Sequence, residues 1–536
     1  MKRTVFAGGT IITSDPKGRR TSAVAIERDR IVAVGDDALR LADGSAEKID
    51  LAGKTLVPGF RDGHCHPVLG GAEMGGAPIW GVAGLDDLLD VVRRYAEEHP
   101  DLDWIRGFGY LPAMLPNGRG DATLLDQVVG NRPVWLTAND GHTGWVNSVA
   151  LERAGVNATT PDPAHGEIVR RADGSPSGAL LESAQDLIEA VVPPTTYADR
   201  LAGGRMALEF LRANGITWAQ DALAAPDDVD VFLDLAGSDP TLPRVSIALR
   251  ADPDHWQEQR PAFAAARERA RTARNGSRIK VETIKFFADG VIESGTAAVI
   301  EEYSDNPGYH GIANWTRDGL REAVLAFDGD GFQIHIHAIG DAGIRNALDA
   351  IEATITQHGH RDRRATIAHT QLVHPDDIRR FAKLDVIANF EPIWAQLEPT
   401  MVELTIPRLG ETRSTWQYPI GGLLKAGARV SFGSDWPVTS INPLEGIAVA
   451  MTRQTPDGDP PGGWLPDQRI DLDTAIELYT AAGAYQSFEE REVGRIATGL
   501  RADLVMLGAD LDRTAPLDLG AVPIEMVWID GVLVKS

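Results

Sequence analysis

Residues 57–67 read VPGFRDGHCHP. A β-rich run beginning at Thr55 leads into this stretch, and the two-residue period of a strand puts His64 and His66 on one face with Cys65 on the other. Two imidazoles so placed can grip one cation, and strand ends are where parallel α/β barrels collect their reacting groups. A lone H-x-H is weak by itself. The question is whether further strands end in the same kind of residue.

Seven more strand-like runs follow: GITWAQDA (215–222), RVSIALR (244–250), VETIKFFADG (281–290), FQIHIHAIGD (332–341), RATIAHTQL (364–372), VIANFEPIW (386–394) and RVSFGSDWPV (429–438). Helical stretches separate them, among them YADRLAGGRMALEFLRANG, PAFAAARERARTARNG, DGLREAVLAFDGDG and AGIRNALDAIEATITQHG, mostly ending in Gly or Asn as a helix C-cap does. With the run from Thr55 they make eight βα units, the number that closes a (β/α)8 barrel.

About 150 residues separate the first strand from the second, far more than a crossover needs. This predicts an inserted subdomain over roughly residues 70–190, carrying strand-like PVWLTAND and the punctuation LPNGRGD and DGSPSG. Residues 1–58 alternate apolar and polar positions, as in SAVAIERDRIVAVG with a tight turn at Arg28, Asp29 and Arg30. The C-terminal RADLVMLGADL and IEMVWIDGVLVKS do the same, with a hairpin signal at Asp530-Gly531. The expected organisation is α/β: residues 1–58 and 488–536 as a small β-sandwich built from both termini, and 59–487 as the barrel with its insert.

His337 ends the fifth run in HIHAIGD, His369 the sixth in IAHTQ, and Asp435 follows the eighth in SFGSDWPV. Singly, each histidine reads as a half-buried side chain and the aspartate as a cap. Four histidines and an aspartate at the same ends of four strands point to a metal site. His335 shares the face of His337 one pleat deeper, which assigns it to the barrel interior and not to the ligand set. Lys285 in VETIKFFADG faces the same side as Val281, Thr283 and Phe287. An ammonium pointing into a barrel is costly unless it is ion-paired, with Asp289 the neighbour at hand, or chemically modified.

Of 536 residues, 43% are hydrophobic and 24% charged, and no apolar run approaches a membrane span, so a soluble protein is expected. The opening MKRTVFAGGTIITSD reads as a strand and not as a secretion signal, and Cys65 alone cannot form an intramolecular disulfide, which fits a cytoplasmic home. Seventy-seven acidic against 52 basic side chains leave a net charge of −25, which opposes nucleic acid and anionic membranes as partners. The expected partner is a small molecule, with homo-oligomerisation left open. No G-x-G-x-x-G or P-loop opens a helix after a strand, and no organic cofactor is expected.

VPGFRDGHCHP, KFFADG, HAIGD, IAHTQ and GSDWP, in this order, resemble the motifs of the amidohydrolase superfamily, and GRIATGLRADLVML extends the resemblance along nearly the whole chain. DGHTGWVNSVAL and YHGIANW resemble amidohydrolase family 3, the YtcJ-like branch that includes N-substituted formamide deformylases. The resemblance implies a TIM-like metal-dependent hydrolase barrel. It places His64, His66 and Asp435 on one divalent metal and His337 with His369 on a second, bridged by an N6-carboxylysine formed at Lys285. Zinc is the first expectation for one or two ions, although imidazole and carboxylate ligands also admit manganese, iron or cobalt. Arg61 and Cys65 depart from the family pattern without removing a ligand.

The implied reaction is hydrolysis of an amide, N-formyl or N-acyl C–N bond by a hydroxide generated at the metal, with Asp435 as the catalytic proton carrier. His142 reads either as a group reaching the substrate carbonyl or as a turn residue, and Trp394, with Trp80, Tyr110 and Trp436, either as pocket aromatics or as core. Heterocycle deamination or lactone hydrolysis on the same site is the alternative. A non-catalytic scaffold is disfavoured, because it has no need to gather six costly polar groups.

Overall fold

The computed structural model describes residues 3–274 and 276–535. Met1, Lys2, Asn275 and Ser536, which the strand and helix readings above included, lie outside the described residues. Eight parallel strands form one sheet in sequence order: β1 (Phe60–Cys65), β2 (Ile216–Ala224), β3 (Arg244–Arg250), β4 (Ile279–Phe287), β5 (Gln333–Ala338), β6 (Thr366–His369), β7 (Ile387–Phe390) and β8 (Arg429–Phe432). They fall within the eight runs read from the sequence, wound as a TIM-like barrel. Alternation explains the layers. Ile334 and Ile336 of β5 join the large apolar cluster between strands and helices, while His335 and His337 between them meet other barrel-interior rings.

The seam between β8 and β1 is closed just beyond the strand ends, where Asp435 N donates to His64 O at 2.8 Å and His66 N to Trp436 O at 2.8 Å. Asp62 adds a clamp, accepting from Ser434 N at 3.0 Å and Ser434 Oγ at 2.6 Å. A Cβ on Gly433 would lie 2.7 Å from His64 N, so the approach that brings Asp435 to the histidines requires a glycine there.

The run TLVPGFRDGH is two strands, not one. Thr55–Pro58 pairs antiparallel with Leu504–Leu507, and only from Phe60 does the chain enter the barrel. The switch falls at Pro58-Gly59, where a Cβ on Gly59 would sit 2.5 Å from Thr217 Cγ2. Hydrogen bonding joins both termini into an eight-stranded sheet, along which Arg3–Ile12 carries Glu47–Asp50 beside its first half and Thr55–Pro58 beside its second. The two hairpins read from sequence are present: Arg20–Glu27 to Arg30–Val34, and Ile524–Ile529 to Val532–Lys535 across Asp530 (φ 50°) and Gly531 (φ 73°).

Between β1 and β2 the chain builds a separate five-stranded sheet, in spatial order Gly166–Arg170, Pro176–Glu182, Thr143–Val146, Val134–Ala138, Ile105–Tyr110. It has its own apolar cluster, in which helix Leu85–Glu98 buries Leu88, Val92 and Ala96. Among the described residues no helix is long and apolar enough to cross a membrane.

Arg244 at the start of β3 pins the terminal sheet to the base of the barrel through Asp503 at 2.8 Å and Asp530 at 2.5 Å. Both Arg244 and Asp503 are about 5% exposed. Removing Asp503 takes the more deeply buried of the two carboxylates from Arg244 and leaves it only Asp530, so Asp503→Ala is expected to destabilise the protein by ~2 kcal/mol. A denaturation midpoint equal to wild type would show that the pair does not hold the two units together.

Candidate metal centre

At the carboxyl ends of the strands the six residues picked out by sequence come together. His64, near the end of β1, has Nδ1 2.9 Å from His335 Nε2, so its other nitrogen turns toward the centre, 3.4 Å from Asp435 Oδ1 and 3.3 Å from Lys285 Nζ. His66 precedes the helix α1 (Pro67–Glu73) and brings Nε2 to 2.8 Å from Asp435 Oδ1. His369, at the tip of β6, has Nδ1 2.8 Å from Glu391 Oε2, and its ring lies 4.6 Å from that of His64 and 4.5 Å from that of His337. His337 has Nε2 3.1 Å from the Gly290 carbonyl, which leaves Nδ1 for the centre. Ligand atoms of His64, His369 and Asp435 all fall within 4.8 Å of one another. The ring of His369 sits between those of His64 and His337, and so stands beside both ligand sets the resemblance implies. The backbone is left-handed at His369 (φ 71°) and Asp435 (φ 54°), a strain that non-glycine residues carry where the surroundings over-determine them.

Burial sets the charges. Desolvation holds His64, His335 and His337 well below the ordinary histidine value and His369 down at about 3, with the nearby Lys285 adding to the effect on each. Each ring is therefore neutral and offers a lone pair. Burial pushes the Asp435 carboxyl up, but His66, His369 and Lys285 outweigh it and keep the acid below its usual value. Lys285 is fully buried, 4.5 Å over the ring of Phe287, and desolvation pulls its amine down to about 7 against the opposing pull of Asp435, Glu391 and Asp221. The ion pair to Asp289 is not formed, since Asp289 spends its oxygens on the backbone N–H groups of Ala298, Ile339 and Gly340. Neutral imidazoles and a carboxylate oxygen converging on one space fit a divalent cation.

The centre opens into a cavity of about 1510 Å³. Trp394 and His142 line it. Trp394 stacks on His369 with centroids 5.2 Å apart and planes 3° from parallel. His142 reaches across from the insert to within 5.1 Å of the His337 ring. Burial pulls its pKa down, but Glu182, Asp140 and Glu293 raise it to about 9. Trp80 also lines the cavity, whereas Tyr110 packs on Trp145 and Trp436 on Phe210, both in the core.

Three residues escaped the sequence reading. Glu391 and Glu182 sit 22 and 40 positions from the histidines they hold, and nothing local marks them. Asp62 lies inside the opening motif, but its work depends on Ser434, 372 positions away. Glu391 orients His369, and losing such an outer partner typically costs ~10–100-fold in metal affinity. Glu391→Ala is expected to show that loss in chelator competition; an unchanged dissociation constant would remove Glu391 from the site.

The sequence profile of the amidohydrolase family matches residues 47–535. YtcJ of Bacillus subtilis (strain 168) is 28% identical over 549 residues, covering 99% of both chains. The N-substituted formamide deformylase of Arthrobacter pascens is 27% identical, covering 99% of this chain and 98% of its own. A crystal structure of an uncharacterized metal-dependent hydrolase from Pyrococcus furiosus shares the fold with a TM-score of 0.70 at 23% identity, over 96% of this chain and all of that one. With the family match spanning residues 47–535, which hold the insert and all eight barrel strands, the chain belongs to the amidohydrolase family.

Proposed function

We propose that this protein is a metal-dependent hydrolase of a small-molecule amide, with an N-formyl or N-acyl C–N bond as its target. The observation that carries the reading is the convergence of neutral His64 and His369 nitrogens with the Asp435 carboxylate beside His66, His337 and Lys285. The similarity to the deformylase supports the choice of bond, and the net charge of −25 supports a small molecule over nucleic acid or membrane. His64, His66, His337, His369 and Asp435 would hold the metal, zinc by ligand type.

A divalent cation there supplies Lewis-acid polarisation of the carbonyl and a lowered pKa for water. Asp435, ionised and facing the cavity, takes a proton from the attacking water and returns it to the leaving nitrogen as the C–N bond breaks. His142 meets the carbonyl oxygen, and Trp394 forms an apolar wall for the acyl or amine substituent. Lys285, a buried amine pulled down to about 7, would add through its neutral Nζ to CO2 with loss of one proton, and the resulting N6-carboxylysine would supply an anionic ligand for a second cation.

Asp435→Asn is expected to fold and to lower turnover by at least ~10²–10⁴-fold in a screen of N-formyl, N-acyl and cyclic amides. Near-native turnover by the metal-loaded Asp435→Asn protein would take the proton-carrying role from this residue. Lys285→Ala is expected to lose one metal equivalent by elemental analysis and to recover activity in part with acetate or propionate. Electron density ending at a bare Lys285 amine in a metal-loaded crystal would leave a mononuclear site in place of the bridged one.

A further inference from the structure

Glu182 ends the strand Pro176–Glu182 of the inserted sheet with φ 51° and ψ −128°, a left-handed conformation that strains any residue bearing a β-carbon. The side chain presented by this bend is 7% exposed. One carboxylate oxygen lies 2.7 Å from His142 Nδ1, and the other accepts from Thr296 Oγ1 at 2.5 Å. The backbone joins the pair as well, Glu182 N donating to His142 O at 2.9 Å.

Thr296 belongs to the loop after β4, where its hydroxyl also accepts from Val291 N at 2.9 Å. In the same loop the Gly290 carbonyl lies 3.1 Å from His337 Nε2, and a Cβ on Gly290 would fall 2.1 Å from Glu182 Oε1. One carboxylate thus spans the boundary between the insert and the barrel segment that orients His337. Its effect is on the ring of His142, which stands 5.1 Å from the His337 ring and 6.4 Å from that of Phe287. Among the described residues His142 Nε2 has no partner, and the residue lines the cavity. Asp140 acts on the ring through its charge and not by a hydrogen bond, since its Oδ1 accepts from the backbone of His142 and Thr143.

We propose that Glu182 is a positioning residue that fixes the His142 ring so that Nε2 meets the substrate oxygen beside the metal centre, making the inserted subdomain part of the active site. The proposal rests on the hydrolase reading above. A carboxylate serving only to tie insert to barrel has no need of a strained backbone or of an imidazole between itself and the cavity.

The test is a double-mutant cycle with Glu182→Ala, His142→Ala and the pair, assayed on the amide that wild type hydrolyses best, with metal content and melting temperature measured throughout. Glu182→Ala is expected to lower kcat/KM by ~10–100-fold with metal content unchanged, Glu182→Gln to restore most of it, and the double variant to match His142→Ala alone. Thr296→Val, which frees the second carboxylate oxygen without touching Glu182, is expected to act in the same direction and to be silent without His142. It carries the test if Glu182→Ala does not fold. Additive losses in the double variant that track the melting temperature would make Glu182 a structural tie and overturn the proposal. The nitrogen-15 signals of the His142 ring give a readout independent of turnover: they are expected to move in Glu182→Ala, and unmoved signals count against the proposal. If wild type hydrolyses no amide offered, the hydrolase reading fails, and the ring signals still decide whether Glu182 holds His142.

Discussion

The structure depends on the burial of six polar groups in one space at the mouth of a barrel. An imidazole so placed must be neutral, and a neutral ring has one nitrogen to give and one to keep. The scaffold takes one nitrogen of each of three rings, through His335 for His64, Glu391 for His369 and the Gly290 carbonyl for His337. What remains points inward. The tautomers and the convergence of lone pairs follow from this partition, while burial in the same space lowers the Lys285 amine. Glu391 shows its cost: burial drives its carboxyl well above the usual range, and Oε1 has no partner among the described residues.

The barrel supplies this geometry because its strands repeat every two residues and end on one face. Ile334, Ile336 and Ile367 fill the layer between strands and helices, leaving the alternate positions to carry chemistry. Asp435 is the exception, since it follows β8 and is brought in by the seam. Backbone bonds between Asp435 and His64, the Asp62 clamp on Ser434 and the tight approach of Gly433 place it. The insert completes the wall from outside the barrel, where its own core frees Thr143–Val146 and Pro176–Glu182 to present His142 and Glu182 to the cavity.

The eight barrel runs, the four quoted helices, which form as Tyr197–Ala213, Trp256–Thr272, Arg317–Gly329 and Asp341–His358, the two hairpins and the family resemblance are each written in local chemistry. Alternation, C-capping glycines and the Asp530-Gly531 turn are short-range signals. The histidines and Asp435 were found as a group for the same reason, each standing at the end of an apolar run. The one misjudged strand was TLVPGFRDGH, whose apolar continuity hides a change of sheet at Pro58-Gly59 that only the proximity of Thr217 reveals. Lys285 was legible as an inward amine, but not the absence of its ion pair, which depended on three backbone groups claiming Asp289.

By itself, then, the sequence determined which residues stand at strand ends and which way alternate side chains face, because both follow from the dihedral period of a strand. Tertiary structure alone decided what each ring nitrogen meets, that His369 sits between His64 and His337, and that Glu182 and Glu391 hold histidines far from them in the chain. Those outcomes depend on distances set by barrel closure and by the docking of the insert. No spacing along the chain encodes a contact such as that of Asp62 with Ser434, 372 positions away.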